Sequence, residues 1–431
     1  MRPALRPTRK LSSLFCTVTL LLVSLPGFPV SAQEQQQEPR EQRPDCAVAA
    51  PAPAAEITRQ AELSALHRGI HDFATGAGVT VAVIDTGIYP HPRLPEVIDG
   101  GDFINGTPAG ALEDCDAHGT VVAGIIAARD TGDSIIGVAP EVRLLSLRQT
   151  SSKIRNPETK NTSGTLASLT AAINSAIDQG AQVINTSVLS CIPPATTETG
   201  TSFQVDTYDF DQAMRRAEDS GVVVVSAAGN SNDACPAGST VYPAHHELAL
   251  GVAALADPYT KTDYTLASPF PQASAPGSAF AGLSNTGDYL SQGIANNNEV
   301  VSYEGTSFAA PFVTGVVALL KQRHPTATPA QLRSLIYAST DPSSGAVDAQ
   351  RTVRYLADGP APHNHGDYSL TTQSQAVTSG PQLRFIRGGY TLMSSLIVMV
   401  LVVTLQNCVH HRVQRRNRTK SPRHVSGTSD G

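Results

Sequence analysis

Across residues 57–356 the chain alternates between two hydrophobic rhythms. Five short runs, 79–84 (VTVAVI), 143–147 (RLLSL), 182–185 (QVIN), 222–226 (VVVVS) and 249–252 (ALGV), are rich in apolar residues with little polar alternation. Runs of this kind fit strands covered on both faces, the usual condition of a parallel sheet. Between them, residues 119–128, 165–178 and 209–220 read as helices. In the second of these, Leu166, Leu169, Ala172, Ile173, Ala176 and Ile177 recur at helical spacing and make one apolar face. Strands alternating with helices predict an α/β fold in three layers, with a mainly parallel central sheet. Such sheets present ligands beyond the carboxyl ends of their strands, so polar residues that directly follow a run carry most weight.

The pattern changes outside this body. Residues 33–55 are rich in Gln, Glu, Pro and Ala and read as an extended arm with no core of its own, leaving 56–357 as the main domain. Residues 358–388 turn polar with Pro, His and Ser, as in a linker. Within 389–409 the chain reads YTLMSSLIVMVLVVTLQNCV, close to the roughly 20 apolar residues that cross a hydrocarbon core of about 30 Å. The tail, 410–431, carries Arg412, Arg415, Arg416, Arg418, Lys420 and Arg423, a cluster that stays on the cytoplasmic side of a membrane.

At the other end, Arg2, Arg6, Arg9 and Lys10 precede an apolar run over 11–25 and the small residues Val30, Ser31 and Ala32, the layout of a signal peptide over 1–32. An uncleaved anchor and a buried core helix are the plainer alternatives at the two ends. The two segments together predict a single-pass protein of the cell membrane, with its body outside and its tail in the cytoplasm.

A length of 431 residues suits one large domain with flanking segments. The net charge of -6 comes without clustered Lys and Arg in the body, which excludes nucleic acid as a favoured partner. Of six cysteines, Cys16 and Cys408 fall in the apolar terminal segments. The remaining Cys46, Cys115, Cys191 and Cys235 suit two disulfides in an oxidising compartment, with three pairings open. The favoured pairing is Cys46 with Cys115, which would tie the arm near His118, and Cys191 with Cys235, which would close the Pro/Thr-rich loop after Ser190. No paired CxxC spacing and no dense Asp/Asn loop calls for a metal, and no cofactor is expected.

Four motifs carry chemistry. Asp85 closes the run VAVID and is followed by Thr86 and Gly87, so it stands at the carboxyl edge of the sheet, where it could also simply cap a turn. His118 lies in DAHGTVVAGIIA and opens one of the most apolar helices of the chain. Ser307 lies in GTSFAAPFVTGVVALLK, at the start of a helix whose Phe312, Val313, Val316, Leu319 and Leu320 must be buried. A serine there could be only an N-cap, but it also stands where backbone N–H groups and the helix dipole can stabilise an oxyanion. Asn230, in AAGN after the run VVVVS, offers a side-chain amide for the same purpose. A serine needs an imidazole to take its proton, and the imidazole needs a carboxylate to set its tautomer, so the three residue types belong together.

In this order the motifs DTG, HGT, AAGN and GTSxAAP resemble those of the subtilase family. The resemblance spans residues 57–356 and implies a subtilisin-like fold and serine endopeptidase activity through an acyl-enzyme. It gives Asp85 the orienting role, His118 that of general base, Ser307 that of nucleophile and Asn230 a place in the oxyanion hole. It also implies protein or peptide substrates. Thr162, Ser163 and Gly164 resemble the edge that pairs with an extended peptide. Ser187, Val188 and Leu189 resemble one wall of the primary specificity pocket, facing Ala227, Ala228 and Gly229.

This chain has Val188-Leu189-Ser190 where many relatives have Leu-Gly-Gly, so Leu189 is expected to narrow the pocket. The short stretch between Ala32 and Asp85 leaves little room for a folded inhibitory prodomain. Signal peptide, Cys-containing arm, subtilase body, linker and C-terminal helix resemble the mycosins, membrane-anchored subtilases of actinobacterial type VII secretion systems. That resemblance implies processing of secreted substrates and support of the secretion membrane complex. Two other functions fit the sequence: a scaffold subunit with secondary protease activity, and a free secreted protease. The polar insertion 151–161 (SSKIRNPETKN) reads either as a gate or partner contact beside the peptide edge, or as an ordinary solvated loop.

Overall fold

The apolar runs assemble into the centre of an eight-stranded sheet in a computed structural model that describes residues 41–42, 46–104, 106–155, 162–194, 205–297 and 299–354. The strand order is Thr260–Lys261, Ala249–Asp257, Val223–Ala227, Val183–Thr186, Thr80–Asp85, Arg143–Arg148, Val97–Asp102, and Gln272–Pro276 pairs with Ala249–Asp257. Every pairing is parallel except that of the short Thr260–Lys261 hairpin strand.

Uniformly apolar strands are explained by two cores, one on each face. Val81, Val83, Val223 and Val225 pack with helices α2 (Gly119–Ala127) and α5 (Thr306–Arg323) on one side. Ala82, Ile84, Val222 and Val224 pack with helices α3 (Leu166–Asp178) and α4 (Tyr208–Asp219) on the other. Alternate side chains of a strand point to opposite faces, so a strand between two helix layers must be apolar at both parities. The three layers are the subtilisin-like α/β arrangement.

Elements that lack this uniform pattern are those on the periphery. Val97–Asp102 (VIDGGD) is an edge strand and only Gly100 in it is buried. Helix α1 (Ala54–Arg68) buries Ser64 and His67, and is held by polar contacts. Ser64 Oγ donates to the Ile136 carbonyl at 3.2 Å, and His67 Nε2 lies 2.9 Å from the same oxygen. Burial lowers the His67 pKa to about 4, which keeps the ring neutral.

The described part of the arm is extended but paired. Ala49–Pro51 adds antiparallel to Leu290–Asn296, which is itself paired with Glu299–Glu304, and Ala49 and Ala50 are buried. Glu41–Gln42 pairs antiparallel with Ser151–Arg155 of the polar insertion. Disulfides join Cys46 to Cys115 and Cys191 to Cys235. The segments read as signal peptide, linker, membrane helix and basic tail lie outside the described residues. Among the described residues no helix is long and apolar enough to cross a membrane.

Candidate active site

Strand parity decides where the first motif points. Asp85 is the last residue of its strand and follows Val81 and Val83 in alternation, so its carboxylate faces the layer of α2 and α5. Helix α2 starts immediately after His118, and Ser307 lies in the first turn of α5. The three motifs therefore converge at the carboxyl end of the central strand.

His118 Nδ1 lies 2.6 Å from Asp85 Oδ1. The aspartate is fully buried, and the same oxygen accepts from the Thr86 amide at 2.7 Å and lies 3.2 Å from the Thr86 hydroxyl oxygen. A carboxylate accepting at Nδ1 places the imidazole proton there and leaves Nε2 as the basic nitrogen. Desolvation by burial opposes the imidazolium. The charge and hydrogen bond of Asp85, aided by Asp114 and Asp116, outweigh it and hold the His118 pKa above its ordinary 6.5. The Phe308 ring packs against the imidazole at a centroid distance of 5.1 Å.

Behind this pair stands a second buried carboxylate that the motif reading passed over. Asp114 Oδ1 accepts from the Thr86 hydroxyl at 2.8 Å and the Asp116 amide at 3.3 Å. Asp114 Oδ2 accepts from the Thr120 amide at 2.8 Å and the Thr120 hydroxyl at 2.7 Å. Burial pushes its pKa up, against the pull of those donors. Two of the four are backbone amides, which can only donate, so the arrangement suits the ionised form. Asp114 thus caps the start of α2 and, through Thr86, ties the Asp85 turn to the His118 helix. Gly119 admits that contact, since a Cβ there would lie 2.1 Å from the Gly87 carbonyl.

Asp114→Asn removes one negative charge facing His118, so the ring gives up its proton at lower pH. On the reading of His118 as the general base, which must be neutral to act, the acid limb of a kcat/KM profile is expected to move to lower pH. Asp114→Ala leaves buried donors unpaired and is expected to cost about 1–3 kcal/mol of stability, read from denaturant midpoints.

Ser307 is displayed by a glycine turn. Gly305, at φ 147, precedes α5, and a Cβ there would lie 2.7 Å from Asn230 Nδ2, so only glycine leaves room for the amide. Asn230 Oδ1 accepts from the Thr306 amide at 3.0 Å and the Thr306 hydroxyl at 2.9 Å. With its oxygen held by the helix start, the amide nitrogen lies on the Gly305 side of the turn that precedes Ser307. The Ser307 hydroxyl itself donates to the Ser187 carbonyl at 2.9 Å. Ser187 is fixed in turn by a buried chain: its hydroxyl donates to the Ser307 carbonyl at 2.8 Å and accepts from Asn185 Nδ2 at 3.0 Å, while Thr314 donates to Asn185 Oδ1 at 2.8 Å.

The expected pocket wall divides. Leu189 Cδ2 stands 3.3 Å from where a Cβ on Gly229 would begin, and it packs on the small core of Cys235, Val241, Ala244 and Leu266. Val188 instead packs into the core of the α3 and α4 layer, away from Gly229. Ala228 is buried beside Gly229, and its amide donates to the Val252 carbonyl at 2.9 Å. Thr162–Ser163 is a short strand paired with Ser151–Arg155, and Gly164 follows it. Asp114, Asn185, Thr306 and Thr314 escaped the sequence reading, and Thr86 entered it only as the residue that follows Asp85. Position offered a signal for two of them, Asp114 four residues before His118 and Thr306 beside Ser307. No group of acidic, His or Cys side chains among the described residues could hold a metal ion.

Comparison with known proteins shows the family to which the chain belongs. The Subtilase family (Peptidase_S8) matches residues 76–366. Mycosin-1 of Mycolicibacterium smegmatis is 37% identical over 306 residues, 64% of this chain and 66% of that protein. The structure of the serine protease MycP1, an essential component of the type VII (ESX-1) secretion system, superposes with a TM-score of 0.67 at 33% identity, covering 74% of this chain and 95% of that one. A chain of the intact ESX-5 inner membrane complex gives a TM-score of 0.65 at 26% identity, over 86% of this chain and 95% of that one. The chain therefore belongs to the subtilase family, as a mycosin-like, subtilisin-like serine endopeptidase.

Proposed function

We propose that this protein is a membrane-anchored endopeptidase that cleaves protein substrates of a type VII secretion system and supports its membrane complex. The observation that carries the chemistry is the 2.6 Å contact of His118 with the buried Asp85, at the sheet edge where α5 displays Ser307. In the cycle, the Ser307 hydroxyl exchanges the Ser187 carbonyl for His118 Nε2. Its oxygen attacks the scissile carbonyl as the imidazole takes the proton. Asn230 Nδ2 and backbone N–H groups at the start of α5 stabilise the oxyanion. The imidazolium, held by Asp85, then protonates the leaving amine, and water hydrolyses the acyl-enzyme by the same steps in reverse roles.

The secretion role draws on the likeness to mycosins and to a chain of the ESX-5 complex. The anchor draws on the sequence of 389–409 with its basic tail, and outward orientation on the signal peptide of 1–32. Membrane fractionation with and without the residues after Pro381 tests the anchor: release of the truncated protein supports it, and an unchanged distribution refutes it. Proteins whose cleavage in living cells stops with Ser307→Ala would identify the substrates. If no secreted protein changes, the processing role is lost and a scaffold function takes its place.

Specificity follows from Leu189. Its side chain stands against Gly229, and on the reading of both as facing walls of the primary pocket, small side chains before the scissile bond should be preferred. Leu189→Gly is expected to raise kcat/KM for peptides with an aromatic residue there by at least tenfold, about 1.4 kcal/mol, within the range for a few methylenes of pocket space. Rapid cleavage of such peptides by the unaltered protein would overturn this reading.

A further inference from the structure

The two carboxylates ahead of His118 serve different neighbours. Asp114 holds the start of α2, whereas Asp116, also buried, turns away from the Asp85 pair. A left-handed residue, Ala117 at φ 59, separates it from His118. Asp116 Oδ2 accepts from the Ser151 hydroxyl at 2.6 Å, and Oδ1 accepts from the Ser152 amide at 2.8 Å and from the Ser152 hydroxyl. The Ser151 hydroxyl also accepts from the Lys153 amide at 3.1 Å. These contacts pin the root of the polar insertion, just after it leaves the sheet strand Arg143–Arg148.

That root faces the peptide edge. Ser151 stands opposite Ser163 in the antiparallel pairing of Ser151–Arg155 with Thr162–Ser163. The far side of the same strand is occupied by Glu41–Gln42 of the arm. The backbone beside Asp116 is held from behind as well: Cys115 is disulfide-bonded to Cys46, and its carbonyl accepts from the Ala47 amide at 2.8 Å. One buried side chain thus joins the loop that carries the general base to the hairpin that ends in residues 162–164.

We propose that Asp116 is a positioning residue for extended substrates: it holds the peptide-pairing edge in register with His118, so that binding along the chain of a substrate is converted into alignment of its scissile bond. This rests on the reading of Thr162, Ser163 and Gly164 as that edge. A buried carboxylate with three donors is well suited to the task, because charge-assisted hydrogen bonds are the strong ones and a loose root would let the edge drift.

The test compares two substrates with the same leaving group, an activated ester of a single blocked alanine and a blocked tetrapeptide ending in alanine. Asp116 also adds to the negative field on His118, but both substrates meet the same imidazole at the same pH, so the ratio of their kcat/KM values cancels that effect. In the unaltered protein, extension raises kcat/KM. In Asp116→Asn the gain is expected to fall at least tenfold. Ser151→Ala with Ser152→Ala should cause the same loss, and adding Asp116→Asn should lower the ratio no further, because the three side chains act as one unit. If Asp116→Asn lowers both substrates by one factor, or the serine pair leaves the gain intact, the proposal fails while the edge reading stands. If the unaltered protein gains nothing from extension, the edge reading itself is wrong and the proposal falls with it.

Discussion

Replacing Ser307 with Ala is expected to lower kcat for peptide cleavage by about 10⁶-fold, a magnitude borrowed from the family because the reference measurement was made on a subtilisin. The substitution removes the hydroxyl proposed as the nucleophile and its hydrogen bond to the Ser187 carbonyl, but Ser187 keeps the Asn185 and Thr314 chain and its own donation to the Ser307 carbonyl. The fold should therefore survive, with a thermal midpoint close to that of the unaltered protein. Peptide cleavage persisting at more than about one part in 10³ would place the nucleophile elsewhere. The same variant separates the two secretion readings in cells. Secretion that continues without cleavage means the membrane complex needs the protein as a component; secretion that stops means it needs the reaction.

Asn230→Ala is expected to lower kcat by about 10²–10³, or roughly 2.7–4 kcal/mol, with KM little changed. That range too was measured on a subtilisin and is carried over. The sign of the split follows from when the interaction forms: an amide aimed at the oxyanion of the tetrahedral intermediate contributes little to the bound substrate, so its loss appears in kcat. The structure adds a second consequence. Asn230 Oδ1 takes two hydrogen bonds from Thr306, so the truncation also frees the first turn of α5 beside Ser307. A large rise in KM with unchanged kcat would show that Asn230 serves ground-state binding and would remove it from the oxyanion site.

The central strands were readable from sequence because both their faces are buried, which leaves few polar residues to interrupt runs such as VVVVS over 222–226, most of which lies in the strand Val223–Ala227. Helix α3 was readable from the single apolar face it turns to Phe210 and Met214 of α4. Helix α1 was not, because its buried positions are Ser64 and His67 and its hold on the body runs through carbonyls of a loop far away in the chain. The edge strand Val97–Asp102 is half exposed and carries two glycines, so its pattern resembles a turn.

At the site, the motifs show which residue types stand at turns after strands and at helix starts, because the local demands for glycine and a small polar side chain are written into DTG, HGT and GTS. By itself the sequence determined the α/β layering and put forward Asp85, His118, Asn230 and Ser307, in that family order, as candidates. Tertiary structure alone decided that the parity of one strand aims Asp85 at the layer of His118 and Ser307, and that Thr306 turns the Asn230 amide. It also decided that Asp114 and Asp116 face different partners, and that Leu189 lies against Gly229 while Val188 does not. The physical reason is range. Burial and backbone conformation leave a local imprint on residue choice, whereas a hydrogen bond between groups dozens of residues apart exists only after the layers have packed.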